Sequence, residues 1–371
     1  MRSMKQSFFF IMHMPPPVHG ASMMGKYIHD SQIINENFDC SYFNLTLAKS
    51  LQDIGKGGFH KLWDFCKQLY EIRKAVIRNN PELCYVTPNA KGAAFYKDFF
   101  VVMMLKAMGK KVVIHYHNKG VATKQDNWVD NFLYKHFFKK LKVVLLAEPL
   151  YNDICKYVNR NDVYICPNGI PSQRQVLPKI EHKGFNILFL SNMMGEKGVW
   201  DLLEACKILK DKKKNFHCHF VGKWSDVTES DFNDRVINLN LKDEVTAYGA
   251  KYGKEKNEFL QIADVFVFPT YYNNECFPLV LLEAMEQGLP CISTNEGGIS
   301  AIIDEAKTGY VIDKHNPQML AERIEYLIQY PDTCRTMGIA GREKFIREFT
   351  LERFEYKIKE ILQDILSESK K

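Results

Sequence analysis

No apolar run in this 371-residue chain approaches the roughly 20 residues that cross a bilayer, so a membrane-spanning helix is not expected. No C-x-x-C pair occurs. The ten cysteines are scattered, mostly among apolar neighbours, which excludes a disulfide framework and reads as reduced core thiols of a cytosolic protein. The one metal-like cluster, His217-Cys218-His219, lies in an alternating strand that sends the two histidines to one face and the cysteine to the other. More converging ligands are needed for zinc, and no metal site is expected. There is no G-x-G-x-x-G, so the dinucleotide fingerprint is missing, and no short-period repeat that would signal a solenoid. The start, MRSMKQSFFFIMHMPPP, offers a secretory leader as a rival reading. Its apolar run is short, Pro15 to Pro17 cut it off and no small-x-small site follows, so a first strand is expected.

What is present is an ordinary globular composition, 46% apolar and 25% charged, long enough for two domains. The net charge of +6 is uneven: residues 1–172 hold 23 Lys and Arg against 13 Asp and Glu, the remainder 27 against 31. The N-terminal half therefore suits an anionic partner: a membrane surface, a phosphorylated lipid or an acidic polymer. Plain solvated surface charge gives the same count. Strand-like and helix-like segments alternate throughout, which implies mainly parallel sheets covered by helices. Pro167-Asn168-Gly169-Ile170-Pro171 breaks the pattern, and residues 173–184 lack periodicity. Two α/β domains are expected, 1–172 and 173–348. Ligands in such domains bind beyond the C-terminal strand ends.

Four stretches follow such strand ends. Phe266 to Gly298 reads strand, polar loop, helix, turn, strand and Gly-Gly. Pro278 suits the first helical turn, and Leu279 to Glu286 is apolar nearly all round except for Glu283, which is expected to be buried and to need a polar partner. Amides near Phe277 to Val280 would attract an anion, with Glu275 just before them. An apolar core helix with a salt-bridged Glu283 and a surface Glu275 fits these residues equally. Ser191-Asn192-Met193-Met194-Gly195-Glu196-Lys197-Gly198 sets a lysine at a helix start, where a cation is disfavoured unless an anion joins it. His13 to Ser22 opens the first helix, with Gly20 allowing close backbone approach, or simply a tight turn. Lys111 to Lys119 ends a strand with His115 and His117 on one face.

Taken in order, these residues resemble the large retaining glycosyltransferase family 4, of the two-Rossmann (GT-B) architecture. The resemblance is strongest over residues 186–312. It rests on the strand-loop-Lys197-Gly198-helix, Val221-Gly222, Tyr248-Gly249, and Ala263-Asp264-Val265 leading to Phe268-Pro269-Thr270. Glu275 and Glu283 with seven residues between them follow, then Gly288-Leu289-Pro290 and Gly297-Gly298, with Pro167-Asn168-Gly169-Ile170 as the interdomain turn. The resemblance implies two Rossmann-like domains facing across a cleft, an N-terminal acceptor domain and a C-terminal donor domain, with residues 349–371 a helix returning to the first. It implies a sugar nucleotide as donor and a glycan or lipid-linked acceptor. Glu283 would bind the ribose hydroxyls and Glu275 the donor sugar. The segment Cys276, Phe277, Pro278, Leu279 and Val280 would meet sugar and diphosphate. Lys197 and Gly20 would hold the diphosphate, with Ser191 and Asn192 beside it. His117, or His115, would lie near the reacting centre.

The family's Gly-Arg is here Ser191-Asn192, and its paired glycine is His19-Gly20, so Lys197, Lys223 or Lys251 would carry more phosphate charge. No Asp-x-Asp occurs, and neither metal nor other cofactor is expected. Nucleic acid is not an expected partner. A cytoplasmic enzyme is expected, peripheral at the inner face of the membrane: the Trp128–Lys142 stretch is a basic amphipathic helix that suits either anionic lipid or an ordinary core. The rival readings are a non-catalytic sugar-nucleotide binder and a GT-B epimerase.

Overall fold

A computed structural model describes residues 5–46, 59–172, 180 and 182–368. The chain divides into two compact units, one running to Gly169 and resuming at Leu351, the other Ile170–Thr350.

The first unit contains β1 (Ser7–Met12), α1 (Gly20–Asp30), α2 (Gln32–Asn37), β2 (Asp39–Asn44), α3 (Phe59–Asn79), β3 (Leu83–Val86) and α4 (Gly92–Ala107). It continues with β4 (Lys111–His115), α5 (Trp128–Phe138), β5 (Lys142–Leu145) and β6 (Val163–Ile165). The six strands pair in parallel in the order β2-β1-β3-β4-β5-β6. Residues 20–37 form two helices, not one. Ser31 turns the chain and its hydroxyl caps α2 by accepting from the Ile34 amide. The second unit contains β7 (Phe185–Leu190), α6 (Val199–Asp211), β8 (Phe216–Val221), α7 (Glu229–Asn238), β9 (Val245–Ala247), α8 (Gly253–Ile262) and β10 (Val265–Phe268). Then come α9 (Leu279–Glu286), β11 (Cys291–Thr294), α10 (Ile299–Ile302), β12 (Gly309–Ile312), α11 (Pro317–Gln329) and α12 (Pro331–Glu348). Its order is β12-β11-β10-β7-β8-β9, again all parallel. Counting strands within the unit, this is the 3-2-1-4-5-6 order of the doubly wound fold, with its switch point between β7 and β10.

Parallel strands covered on both faces must be apolar throughout. Val265, Phe266, Val267 and Phe268 are all buried, and each such side chain contributes about 1.5–3 kcal/mol. Helix α7 is legible only afterwards. Its sequence, ESDFNDRVIN, buries Phe232 and Val236 alone, too few apolar positions to show a period. The last helix, α13 (Leu351–Glu368), packs on α2 and buries Phe354, Ile358, Ile361 and Leu362. Tyr164 donates to Asp364 at 2.8 Å, and Lys142 meets Glu368 at 2.6 Å. These contacts hold the C-terminal helix in the first unit. Most of residues 173–184, expected to be aperiodic, lie outside the described residues.

Candidate active site

The switch point of the second unit gathers the two loops that carry its candidate residues. Beyond β7 the Ser191 amide donates to Val221 O at 3.1 Å, and the Met193 amide to Lys223 O at 2.8 Å. The β8 exit lies directly against Ser191: a Cβ on Gly222 would stand 1.6 Å from the Ser191 carbonyl oxygen. Gly195–Lys197 is then a tight 3-10 turn, and Gly198, at φ +86°, starts α6. A Cβ on Gly198 would lie 2.3 Å from Pro269 O, so only glycine lets this turn touch the loop after β10. Tyr271 N donating to Glu196 O at 2.8 Å fastens the two loops together.

That contact brings Lys197 to Glu275, 78 residues away. Their charged ends stand 2.5 Å apart, with side chains only 14% and 12% exposed. The ammonium also lies 4.3 Å from the Tyr272 ring centroid and 5.4 Å from that of Phe268, a geometry that favours a cation over aromatic faces. Glu275 is positioned from below by Gly297 and Gly298. Gly297 holds φ +57° with Glu275 O 2.3 Å from where its Cβ would be, and Gly298 N donates to Cys276 O at 2.6 Å. Cys276 and Phe277 are buried, Phe277 against Phe349. Pro278 is the N-cap of α9 rather than its first helical residue, with ψ 119°. The Leu281 amide donates to Pro278 O at 3.2 Å. No side chain caps the end, and Leu279 and Val280 are both half-exposed.

Glu283 corrects the expectation of a buried carboxylate. It is 25% exposed and pairs with Lys256 on α8 at 2.8 Å. The buried acid of α9 is Glu286, and Glu275 is better shielded than Glu283. The reason is rotation about the helix axis: Glu283 follows the stripe facing α8, while Leu282 and Ala284 beside it turn inward. Lys256 escaped the sequence reading because nothing in GKEKNEFLQI distinguishes it from the other lysines on an exposed helix. Lys251, a candidate phosphate cation, pairs with Glu255 at 3.0 Å instead. His217 and His219 are satisfied by Thr246, Tyr248 and Asn186, and among the described residues no cluster could hold a metal ion.

In the first unit, Gly20 begins α1 and is exposed. His19 caps the helix: its Nδ1 accepts from Ser22 N at 3.2 Å, and the Ser22 hydroxyl accepts from His19 N at 2.9 Å. Gly25, missed in the sequence, lets α1 cross the β1 exit, since a Cβ there would stand 2.1 Å from His13 O. His115 ends β4 and lies 2.5 Å from the Tyr85 hydroxyl, while His117 follows with its ring 4.2 Å from that of His115. Burial pushes the His117 imidazole down to about 3, aided by His13, and drives His115 well below its ordinary value. Burial likewise lowers His13 to about 4. These histidines are neutral at physiological pH. They can orient a hydroxyl but supply no charge.

Two parallel six-stranded Rossmann-like sheets in one chain give the GT-B fold. Residues 171–344 match the family model "Glycosyl transferases group 1". The amylovoran biosynthesis glycosyltransferase AmsK of Erwinia amylovora is 28% identical over 186 residues, 49% of this chain and 45% of AmsK. The chain spans less than half the length of the curated relatives it matches. Among solved structures, a glycosyltransferase from Rickettsia africae superposes with a TM-score of 0.74 at 16% identity, covering 98% of this chain and 99% of that one. HepE of Anabaena in complex with UDP gives 0.73 at 13% identity over 97% and 100%. At such identities the likeness is one of fold.

Proposed function

We propose that the protein is a retaining glycosyltransferase that moves a hexose-type sugar from a nucleotide diphosphate sugar to a glycan or lipid-linked acceptor in cell-surface polysaccharide or glycolipid synthesis. The observation that carries the reading is the Lys197–Glu275 pair set beside the uncapped start of α9, with Glu283 one turn further along. The family match, and relatives named for amylovoran and capsular polysaccharide biosynthesis, support the same class. HepE is solved with UDP and with UDP-glucose, which supports a nucleotide sugar as donor.

The roles follow from charge. As the bond between sugar and phosphate breaks, negative charge grows on the diphosphate and the sugar becomes cation-like. Lys197 and the amides of Leu279 and Val280 stabilise the leaving group, each oriented donor contributing about 3 kcal/mol. Ser191 and Asn192, at the same strand end, border the phosphates. Glu283 accepts from the ribose hydroxyls, and the donor displaces Lys256 from that carboxylate. Cys276, Phe277 and Pro278 seat the sugar through backbone, and Glu275 orients its hydroxyls. The acceptor hydroxyl attacks from the leaving-group face, and the phosphate takes its proton. Gly20 and His117 are assigned to diphosphate and reacting centre on features internal to the first unit: an exposed helix-start residue and a neutral imidazole at the C-terminal edge of its sheet.

The acceptor belongs to the first unit, and the enzyme works in the cytoplasm at the inner face of the membrane. No helix of the described residues is long and apolar enough to cross a membrane. The test is release of nucleotide when purified protein is incubated with a panel of sugar nucleotides, with and without chelator. Slow, chelator-insensitive release is expected with one of them. No release from any donor, with or without glycan acceptors, would replace this reading with that of a sugar-nucleotide binding protein.

A further inference from the structure

The first unit carries a basin of about 800 Å³ at the N-terminal edge of its sheet, the end opposite His115, where β3, β4 and β5 begin. Six lysines line it: Lys106, Lys110, Lys111, Lys139, Lys140 and Lys142. Three are engaged within the fold. Lys106 donates to the carbonyls that end α5, Lys110 to Asn80 and Pro81, and Lys142 pairs with Asp162 and Glu368. Among the described residues, the ammonium groups of Lys111, Lys139 and Lys140 meet no carboxylate, nor does that of Lys135 one turn before the basin.

The outer face of α5 is continuous with this basin. Trp128, Phe132, Lys135, His136 and Lys139 follow one another at helical spacing and are all exposed, Trp128 at 80% and Phe132 at 56%. Helix α4 runs beside it: Tyr96 donates to Asp130 at 2.9 Å, and Phe99 stacks on Phe137. One turn beyond Tyr96, Phe100 is 55% exposed, and Met103 then lines the basin. A soluble polyanion would need the lysines but not three exposed aromatics leading into them. A headgroup layer over an apolar interior uses both.

We propose that the outer faces of α4 and α5, with the lysine basin at their end, form the surface by which the protein lies on an anionic lipid bilayer. Trp128, Phe132 and Phe100 enter the interface, while Lys111, Lys135, Lys139 and Lys140 meet lipid phosphates. The proposal rests on the membrane-face localisation above and names the surface responsible for it.

The experiment is flotation of the full chain with vesicles of phosphatidylglycerol and phosphatidylcholine, against phosphatidylcholine alone, at low and high salt. Wild type is expected to float with the anionic vesicles only, less so at high salt. Replacing Lys135, Lys139 and Lys140 by Gln should lower partitioning about a hundredfold. W128S/F132S should abolish the salt-resistant fraction. Nucleotide release should stay at the wild-type rate in both variants, which shows that they fold. Failure of wild type to bind overturns both this surface and the membrane-face localisation. Equal binding by wild type and both variants overturns the surface alone. Loss with the lysine variant but not W128S/F132S, together with tight binding to heparin, overturns the lipid in favour of a soluble polyanion.

Discussion

Replacing Gly297 with alanine should disable the proposed reaction without removing any side chain assigned to the donor. The backbone there sits at φ +57°, and alanine pays about 1–2 kcal/mol for that conformation. The added methyl would lie 2.3 Å from Glu275 O and 3.0 Å from Cys276 O, where ordinary contact begins near 3.4 Å. Both neighbours are backbone and cannot rotate away, so the Glu275 loop must shift by about 1 Å, with overpacking costing about 1–3 kcal/mol. Gly253 serves as control: it has φ +54° and nothing within 4 Å of its Cβ position, so G253A pays the conformational cost alone. Thermal unfolding should show G297A below G253A by about 2–4 °C for each kcal/mol of collision. A displacement of about 1 Å at a positioning group is worth about a hundredfold in rate. Nucleotide release by G297A should fall by that order, while nucleotide affinity changes far less because Glu283 is anchored on α9. A folded G297A with wild-type turnover, or one as stable as G253A, would refute the claim that Gly297 positions Glu275.

Glu283→Ala should weaken nucleotide binding by about 10- to 100-fold, the value of a charge-assisted hydrogen bond, whereas Glu275→Ala should mainly lower turnover. Calorimetric titration showing equal nucleotide affinity in wild type and E283A would sink the ribose assignment. His13 and His117 have folded values of about 4 and about 3, lowered by burial from 6.5, so the unfolded chain binds their protons first as pH falls. Stability should therefore be full above about pH 6.5 and decline below it, by about 1.4 kcal/mol per pH unit for each histidine, down to about pH 4. Urea unfolding at pH 7 and pH 5 measures this, and equal midpoints would contradict it. Lys344 is buried and donates to Ala301 O at 2.8 Å and Asp304 at 2.6 Å. Lys344→Met should cost about 1–3 kcal/mol in unfolding experiments while nucleotide release persists.

By itself the sequence determined the parts whose causes are local. Strands such as Val265–Phe268 are legible because a strand buried on both faces must be apolar throughout, and α9 because Gly288 and Pro290 stop it where its apolar run ends. The family resemblance lay in ordered loop residues, since strand ends need glycines and a lysine at set distances from each strand. Helix α7 stayed hidden because a mostly solvated helix carries little pattern. Only the tertiary structure decided which side chains meet. Lys197 reaches Glu275 across 78 residues because Gly198 alone permits the turn to touch Pro269. Glu283 has the polar partner its sequence context calls for but is only half-buried, because its exposure depends on the neighbouring helix, α8, which supplies Lys256. The sequence likewise left the Trp128–Lys142 stretch open between core helix and lipid-facing helix. Its two faces part company: Tyr134, Phe137 and Phe138 fill the core, while Trp128 and Phe132 face solvent. Helical spacing names two faces, and packing against α4 settles which of them the protein buries.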